Sequence, residues 1–102
     1  MGSGNGISSQ INFPDYAAAA GAAIASVIAE RDRQDAKWGE QNHDAGRWAL
    51  ILLEELGEWA KAELDARPNE SHKEAVHVTA VALAIVECMN RKRMREGKAS
   101  HS

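Results

Sequence analysis

The segment that decides the fold is DAGRWALILLEELGEWAKAELDA, residues 44–66. Its large apolar side chains recur every three or four residues, which is the spacing of one face of an α-helix. This apolar stripe consists of Trp48, Leu52, Leu56 and Trp59. Asp44 is a suitable N-cap, and Pro68 favours an end near Ala66. The segment therefore predicts one amphipathic helix whose two tryptophans belong to the core.

Helical signals continue on both sides of this segment. Helix one is predicted over about residues 15–37, with Gly39 at its end. The residues that recur at helical spacing along it are Ile24, Val27, Ile28 and Arg31. Helix three is predicted to start at Ser71 and to run to about residue 95. Nineteen alanines against two prolines and five aromatic residues favour an all-α fold with three main helices.

The chain length allows one domain. A chain of 102 residues can bury one modest core and is too short for two independent ones. Residues 1–13 are dense in Gly, Ser and Asn and are predicted to be a flexible leader. Residues 14–96 form the predicted helical domain, and residues 97–102 are predicted to be a frayed tail.

Composition excludes several functional classes. Twelve basic against fifteen acidic residues give a net charge of -3, which disfavours nucleic acid as a partner. The basic residues at 91–95 are therefore interpreted as a solvated helix end that suits the helix dipole. No segment has the roughly 20 apolar residues that span a bilayer. The single Cys88, interpreted as a small buried hydrophobe, fits a reducing compartment. A soluble, cytoplasmic protein without a membrane partner is expected.

Helix three indicates a homo-oligomer. Its segment VHVTAVALAIV, residues 76–86, is apolar almost all the way round. Two other helices of one short chain cannot cover such a surface. We therefore expect a dimer or tetramer in which a partner chain completes the helical bundle.

Two short motifs carry the chemistry of the sequence. Glu54, Glu55 and Glu58 project from predicted helix two, and Glu74 and His77 share a face of predicted helix three. Glu55 falls at the edge of the apolar stripe rather than opposite it. Gathered carboxylates repel each other and are costly to desolvate, so a fold that brings them together usually supplies a cation. Carboxylate oxygens favour Mg²⁺ or Mn²⁺, and such ions favour phosphate substrates.

The same residues also have purely structural interpretations. Glu54 and Glu58 suit a solvated helix face, with Glu58 paired to Lys61. Ser71 and Glu74 have the spacing of a capping box at a helix start. A histidine such as His77 on an apolar face is often a hydrogen-bonded core residue.

The two motifs sit in a longer pattern that resembles a known family. LLEELGEWAKA at residues 52–62, followed by KEAVHVTAVA at residues 73–82, resembles the MazG-like, all-α nucleotide pyrophosphohydrolases. RDRQDAKWGEQNH at residues 31–43 resembles the opening of the small, single-domain members. The likeness covers about residues 28–90. The family signature is ExxE, a spacer and ExxD, and its four acids hold Mg²⁺.

Three positions match that signature and one departs from it. Glu55 and Glu58 match the first pair, and Glu74 matches the third acid. His77 stands where the family has aspartate, and imidazole is a poor ligand for Mg²⁺ but a good one for Mn²⁺, Zn²⁺ or Fe²⁺. Three alternatives follow. The site has fewer protein ligands and more water, or His77 contacts a metal ligand without binding the metal itself, or the metal is a different one.

The resemblance implies metal-dependent hydrolysis of a nucleoside triphosphate, with a deoxynucleotide favoured, to the monophosphate and pyrophosphate. It implies Mg²⁺ or Mn²⁺ at Glu55, Glu58, Glu74 and His77, and catalytic roles for Glu54, Glu55 and Glu58. A free carboxylate, Glu54 or Glu58, would orient the attacking water or take its proton. The suggested biological role is the clearance of unwanted nucleotides.

Residues for substrate contact are candidates at this stage. The phosphate-binding candidates are Lys37, Lys61 and Lys73. Trp38 either stacks on a base or anchors the end of helix one in the core. Gln41, Asn42 and His43 are candidates for reading the edge of the base.

Two other classes of protein remain open from the sequence. A di-iron or di-manganese carboxylate bundle uses single Glu ligands together with Glu-x-x-His motifs, and Glu74 and His77 have that spacing. A nucleotide-binding scaffold with altered catalysis is the non-enzymatic alternative, and the departure at His77 favours it.

Overall fold

The computed structural model describes residues 13–101 and contains three α-helices and no strand in that range. These are α1, Phe13–Trp38; α2, Ala45–Leu64; and α3, Pro68–His101. The all-α prediction with three main helices is therefore confirmed. Phe13 belongs to α1, and the rest of the predicted leader, residues 1–12, lies outside the described residues, as does Ser102.

The connection between α1 and α2 follows the sequence signals. Gly39 has a φ of 75°, a left-handed conformation that suits glycine, and its N–H donates to the Asp35 carbonyl at 2.8 Å. Asp44 caps α2, because its side chain accepts a hydrogen bond of 2.8 Å from the backbone N–H of Arg47. Both predicted helix boundaries in this connection are confirmed.

The boundary between α2 and α3 differs from the prediction. Helix α2 ends in a Schellman motif with Ala66 in the left-handed conformation, at a φ of 55°. The Arg67 N–H donates to the Ala62 carbonyl, and the Ala66 N–H donates to the Glu63 carbonyl. Pro68 then begins α3 rather than merely separating two helices, since its missing N–H is harmless in a first turn.

Helix α3 therefore starts three residues earlier than predicted and ends at His101, beyond the predicted domain boundary at residue 96. Ser71 lies inside the helix, where its hydroxyl donates to the Glu63 carboxylate. The prediction that Ser71 caps the start of helix three was wrong.

Of the three helices described, α3 is the one that contacts both others, and α1 and α2 do not contact each other. The core lies between α2 and α3 and contains Trp48, Val81, Ala84 and Cys88. Ile51, Leu52 and Ile85 pack against it. The core positions of Trp48 and Cys88 are as predicted. An open cleft separates α1 from α2, and α3 forms its floor.

Helix α1 is held to α3 by a buried guanidinium. Arg31 is 9% exposed and donates to the Glu87 carboxylate of α3, and to Gln34 and Asp35 of its own helix. Burial would lower the pKa of Arg31, but hydrogen bonds to Glu87 and Asp35 outweigh it and raise this pKa. Hydrogen bonds to charged groups contribute about 1.5–3 kcal/mol each, so this network fixes where α1 stands.

The basic end of α3 differs from the sequence interpretation. Arg91 is not simply solvated: it donates to the Asn42 side chain and to the Gln41 carbonyl, each at 3.0 Å, and so ties the α1–α2 connection to α3.

Two isoleucines at helical spacing on α1, Ile24 and Ile28, are exposed, because α1 contacts α3 alone.

Apolar surface remains exposed on α2 as well. Trp59, predicted to belong to the core, is 38% exposed, as is Leu56. The radius of gyration is 18.3 Å, whereas a compact domain of this length has one of roughly 13 Å. The described helices include none with the length and apolarity needed to cross a membrane.

Candidate functional site

The cleft between α1 and α2 has a volume of about 510 Å³, which is within the range of small-molecule sites. Helix α1 contributes one polar wall, helix α2 contributes a second, and His77, Val81 and Ala84 of α3 form the floor. The charged residues along it are Glu30, Arg33, Lys37, Arg47, Glu54, Glu55 and Glu58. Acidic and basic side chains therefore line the same cavity.

One imidazole lies among carboxylates from all three helices. His77 Nδ1 is 2.8 Å from Glu74 Oε1 on the same helix and 3.8 Å from Glu55 Oε2 on α2. His77 Nε2 is 3.5 Å from Glu30 Oε2 on α1. The motifs on α2 and α3 therefore meet at this imidazole, and α1 adds Glu30, a carboxylate that the sequence analysis did not include.

The positions of these groups follow from helix geometry. Glu74 and His77 are three residues apart and share a face of α3. Because α3 begins at Pro68, Glu74 lies beyond the first turn and turns toward His77. The capping-box interpretation of Glu74 was therefore wrong. Glu55 is half-buried at the edge of the α2 stripe, as its position in the sequence predicted.

Two carboxylate oxygens in this cluster have no hydrogen-bond donor. Glu55 Oε2 and Glu74 Oε1 are buried, and no described residue donates a hydrogen bond to either. Glu74 Oε1 is close to His77 Nδ1 but lacks the alignment of a hydrogen bond. A buried acceptor left unsatisfied costs about 1–3 kcal/mol, and more when it is charged. A hydrogen-bond donor or a positively charged partner would satisfy these two oxygens.

The donor set fits a divalent cation. One ligand atom from each of Glu55, Glu74 and His77 lies within 4.8 Å of the others. Opposite ligands of a cation with bonds of about 2.1 Å are ~4.2 Å apart, so a small movement of the side chains closes the set. Glu58 lines the same cleft but is exposed and outside this group of three.

Electrostatic effects on the carboxylates differ across the cluster. Burial raises the pKa of Glu55 above its ordinary value, and repulsion from Glu58, Glu74 and Glu30 adds to this, while His77 partly opposes it. A hydrogen bond from Arg33 lowers the pKa of Glu30 and outweighs its burial. Arg33 binds Glu30 through Nε at 2.8 Å and Nη2 at 2.6 Å.

Three of the predicted substrate-contact residues line the cleft: Lys37, Trp38 and Gln41. Trp38 is 61% exposed, so the alternative in which it anchors a helix end in the core was wrong. The Lys37 ammonium lies 4.8 Å from the centre of the Trp38 ring. Of the adjacent candidates, Asn42 accepts a hydrogen bond from Arg91, and the His43 ring packs edge-on against Trp48.

The other two predicted phosphate ligands lie apart from the cleft. Lys61 binds Asp65 at 3.1 Å rather than Glu58, and it borders a separate pocket of about 140 Å³ that Glu58 and Glu74 also line. Lys73 is exposed and borders another depression, beside Glu30 and His77. Both lysines approach the carboxylate cluster from outside the main cavity.

The sequence interpretation missed four polar residues of the cleft: Glu30, Arg33, Gln34 and Arg47. Three of them share a signal on α1. The polar residues at 30, 33, 34 and 37 recur at helical spacing after a long run rich in alanine. Such a stripe marks a polar face, although it does not say which carboxylates the face will meet.

Comparison of the chain with models of protein families, with curated proteins and with solved structures finds no match.

Removing the Glu55 charge is expected to stabilise the metal-free protein. Glu55→Gln should raise the thermal midpoint at pH 7 by about 3–6 °C, because the folded state disfavours the ionised carboxylate. The pKa of Glu55 is higher in the folded state than in the unfolded state. The loss of stability caused by its charge is therefore absent at low pH and grows as the pH rises through the pKa of the folded state. The gain should therefore shrink at pH 4.

Circular dichroism melts in the presence of a chelator measure this effect. Glu54→Gln is the matched control, since Glu54 is exposed on the same helix, and its midpoint should stay close to that of the wild type. A lower midpoint for Glu55→Gln at pH 7 would contradict the interpretation of Glu55 as an uncompensated buried charge.

Proposed function

We propose that this cleft hydrolyses nucleoside triphosphates, with deoxynucleotides favoured, to the monophosphate and pyrophosphate with a divalent cation, Mg²⁺ or Mn²⁺. The observation that carries the proposal is the pair of buried, unsatisfied oxygens of Glu55 and Glu74 beside His77. They lie at one side of a cleft that is also lined by basic side chains and by an exposed tryptophan. The resemblance of residues 28–90 to the MazG-like pyrophosphohydrolases, which includes these residues, suggests the reaction.

Glu55, Glu74 and His77 would hold the cation, and Glu58 stands next to them along α2. A divalent cation bound there supplies positive charge that neutralises phosphate oxygens as negative charge moves to the leaving group. Glu55 and His77 also line the cleft, so a phosphate chain in the cleft would approach the cation from their side.

The exposed carboxylates of Glu54 and Glu58 act on the attacking water. One of them orients the water and accepts its proton while a bond forms from the water oxygen to the α-phosphorus. The bond from that phosphorus to the oxygen bridging the α- and β-phosphates breaks at the same centre. Pyrophosphate leaves with the electron pair of that bond, and the monophosphate keeps the new oxygen.

Basic side chains and an aromatic ring bind the rest of the substrate. Lys37 and Arg47 face the cavity and complement the phosphate charges. Trp38 offers an exposed ring on which a base stacks, and Gln41 lines the same cavity and offers an amide that reads the edge of the base. Lys61 and Lys73, outside the cavity, contribute long-range positive charge rather than direct contacts.

The resemblance to the family also suggests a biological role in the clearance of unwanted nucleotides. A cytoplasmic location suits both the nucleotide substrate and the free, buried Cys88.

A di-iron or di-manganese bundle is the second candidate function. The 2.8 Å contact between Glu74 and His77 resembles one Glu-x-x-His half-site of such a centre. A second copy of the chain would have to supply the other half-site. Bound iron with visible absorbance, without nucleotide turnover, would favour this candidate.

The test is product analysis with the four dNTPs and four NTPs, in Mg²⁺ and separately in Mn²⁺. Phosphorus NMR should show pyrophosphate rather than orthophosphate, and reaction in ¹⁸O-labelled water should place the label in the monophosphate. Glu55→Gln and Glu74→Gln should each reduce turnover on the order of 100-fold or more, because each removes a ligand of the cation.

Asp32→Asn is the matched control. Asp32 is an exposed acid of α1 outside the cleft, and its loss should leave turnover unchanged. Nucleotide binding without turnover in either metal would contradict the enzymatic proposal and favour the scaffold with altered catalysis.

We also propose that the chain is a homo-oligomer, a dimer or tetramer. Helix α2 carries an outer apolar face on the side away from α3, formed by Ala49, Leu50, Leu53, Leu56, Ala60 and Leu64, all exposed. A further apolar groove lies between α1 and α3 and includes the half-exposed Val86. A second copy of the chain is the occupant that these faces favour, because such surfaces at helical spacing are typical of helix-to-helix contacts. The extended shape of the single chain supports the same proposal.

Leu53→Glu should shift the solution mass, measured by light scattering, from a multiple of the chain mass toward the single chain, because it puts a charge in the outer apolar face of α2. Leu53 is 62% exposed in the single chain, so the substitution leaves the core of the chain intact. Met94→Glu, at a similarly exposed position near the end of α3, is the matched control and should keep the oligomer. A wild-type protein of single-chain mass would contradict the proposal.

A further inference from the structure

The two ring nitrogens of His77 face different partners. Nδ1 faces Glu74 Oε1 and Glu55 Oε2, the two oxygens without hydrogen-bond donors among the described residues. Nε2 faces the Glu30 carboxylate of α1 at 3.5 Å. A neutral imidazole carries one N–H and one lone pair, so the two sides of the ring cannot play the same role.

The carboxylate on the Nε2 side is firmly held. The Glu30 side chain is 10% exposed, and both its oxygens accept hydrogen bonds from Arg33. Gln34 donates to Oε2 at 3.2 Å, the same oxygen that faces His77. An ionised carboxylate only accepts hydrogen bonds, so Glu30 favours a proton on Nε2, whereas Glu74 and Glu55 favour one on Nδ1 while no cation lies between them. A cation held by Glu55 and Glu74 would need the Nδ1 lone pair, and the ring proton would then lie on Nε2, where Glu30 is the acceptor.

We propose that Glu30 is a positioning residue: it holds His77 in the form protonated at Nε2, so that Nδ1 binds the cation and the site selects Mn²⁺ over Mg²⁺. This inference rests on the proposed metal site and names the cation it prefers. Carboxylates behind metal-binding histidines fix the ring and its tautomer in this way. A nitrogen ligand favours Mn²⁺, Co²⁺ or Zn²⁺, whereas Mg²⁺ prefers oxygen ligands and water.

The arrangement also links α1 to the site. Glu30 is the α1 carboxylate that reaches His77, and α1 is positioned through its packing on α3. A competing explanation is that a protonated His77 acts as an ionic bridge among the three carboxylates. In that case the ring has no lone pair for a metal, and loss of Glu30 lowers the affinity for all divalent cations to the same extent.

The test is calorimetric titration of the full chain with MnCl₂ and separately with MgCl₂, without nucleotide. The readout is the ratio of Mn²⁺ to Mg²⁺ affinity. The variants are Glu30→Leu, which removes the acceptor, Glu30→Gln, which keeps an acceptor oxygen without charge, and His77→Asp, which replaces nitrogen by oxygen. Asp32→Asn removes an exposed charge from α1 and is the matched control.

The wild type should bind Mn²⁺ more tightly than Mg²⁺. Glu30→Leu should lower Mn²⁺ affinity by about 10- to 100-fold and Mg²⁺ affinity by less, so that the ratio falls. Glu30→Gln should lie between the wild type and Glu30→Leu. His77→Asp should lose most of the preference and still bind Mg²⁺, and Asp32→Asn should keep the wild-type ratio.

A spectroscopic measurement distinguishes a positioning role from a general charge effect. Pulsed EPR of bound Mn²⁺ in protein with ¹⁵N-labelled histidine should detect nitrogen coupling in the wild type, weakened coupling in Glu30→Leu and none in His77→Asp. Circular dichroism identifies any variant that fails to fold, and Glu30→Gln then replaces Glu30→Leu in the comparison.

Outcomes that overturn the inference are separable from failure of the proposed function. Equal Mn²⁺ and Mg²⁺ affinity without nitrogen coupling overturns the role of Glu30 and His77, and nucleotide turnover under the same conditions leaves the proposed hydrolysis intact. If Glu30→Leu lowers the affinity for Mn²⁺ and for Mg²⁺ by the same factor, Glu30 has a general electrostatic role and the inference is also overturned. Absence of both cation binding and turnover overturns the proposed function itself.

Discussion

The site depends on one constraint: α3 must present His77 to carboxylates that come from two helices which do not touch each other. Glu30 of α1 and Glu55 of α2 reach the same imidazole because each helix packs separately on α3. The buried Arg31, bonded to Glu87, fixes α1 on that helix. The cleft is the space that this two-sided packing leaves open between α1 and α2.

The cluster carries an electrostatic cost that the rest of the fold must offset. Burial raises the pKa of Glu55, and two carboxylate oxygens lack donors among the side chains and backbone groups that the structure describes. A small domain has a net stability of only about 5–15 kcal/mol, so such groups are costly to keep. Structural ion pairs usually bring enough donors to satisfy each carboxylate, as Arg33 does for Glu30. The unsatisfied oxygens therefore favour a site that gains its last partner from a bound cation.

Much of this could be predicted from sequence because it is encoded locally. The cap at Asp44, the end of α1 at Gly39 and the place of Glu55 at the edge of the stripe depend on neighbours within one or two turns. The contact between Glu30 and His77 could not be predicted, because it depends on packing between residues 47 positions apart. The start of α3 was misplaced because Pro68, used in the sequence analysis only to end helix two, lies in the first turn of α3. Proline is compatible with both positions, and the local sequence does not decide between them.

The most direct measurement is the anomalous difference map of crystals grown in Mn²⁺ without nucleotide. If the carboxylates and the imidazole form a cation site, the strongest peak will lie between Glu55, Glu74 and His77. The two oxygens that lack donors in the described structure should then coordinate the ion. A map at saturating Mn²⁺ with no peak there, or with peaks at exposed surface carboxylates alone, would contradict the cation site on which the proposed hydrolysis depends.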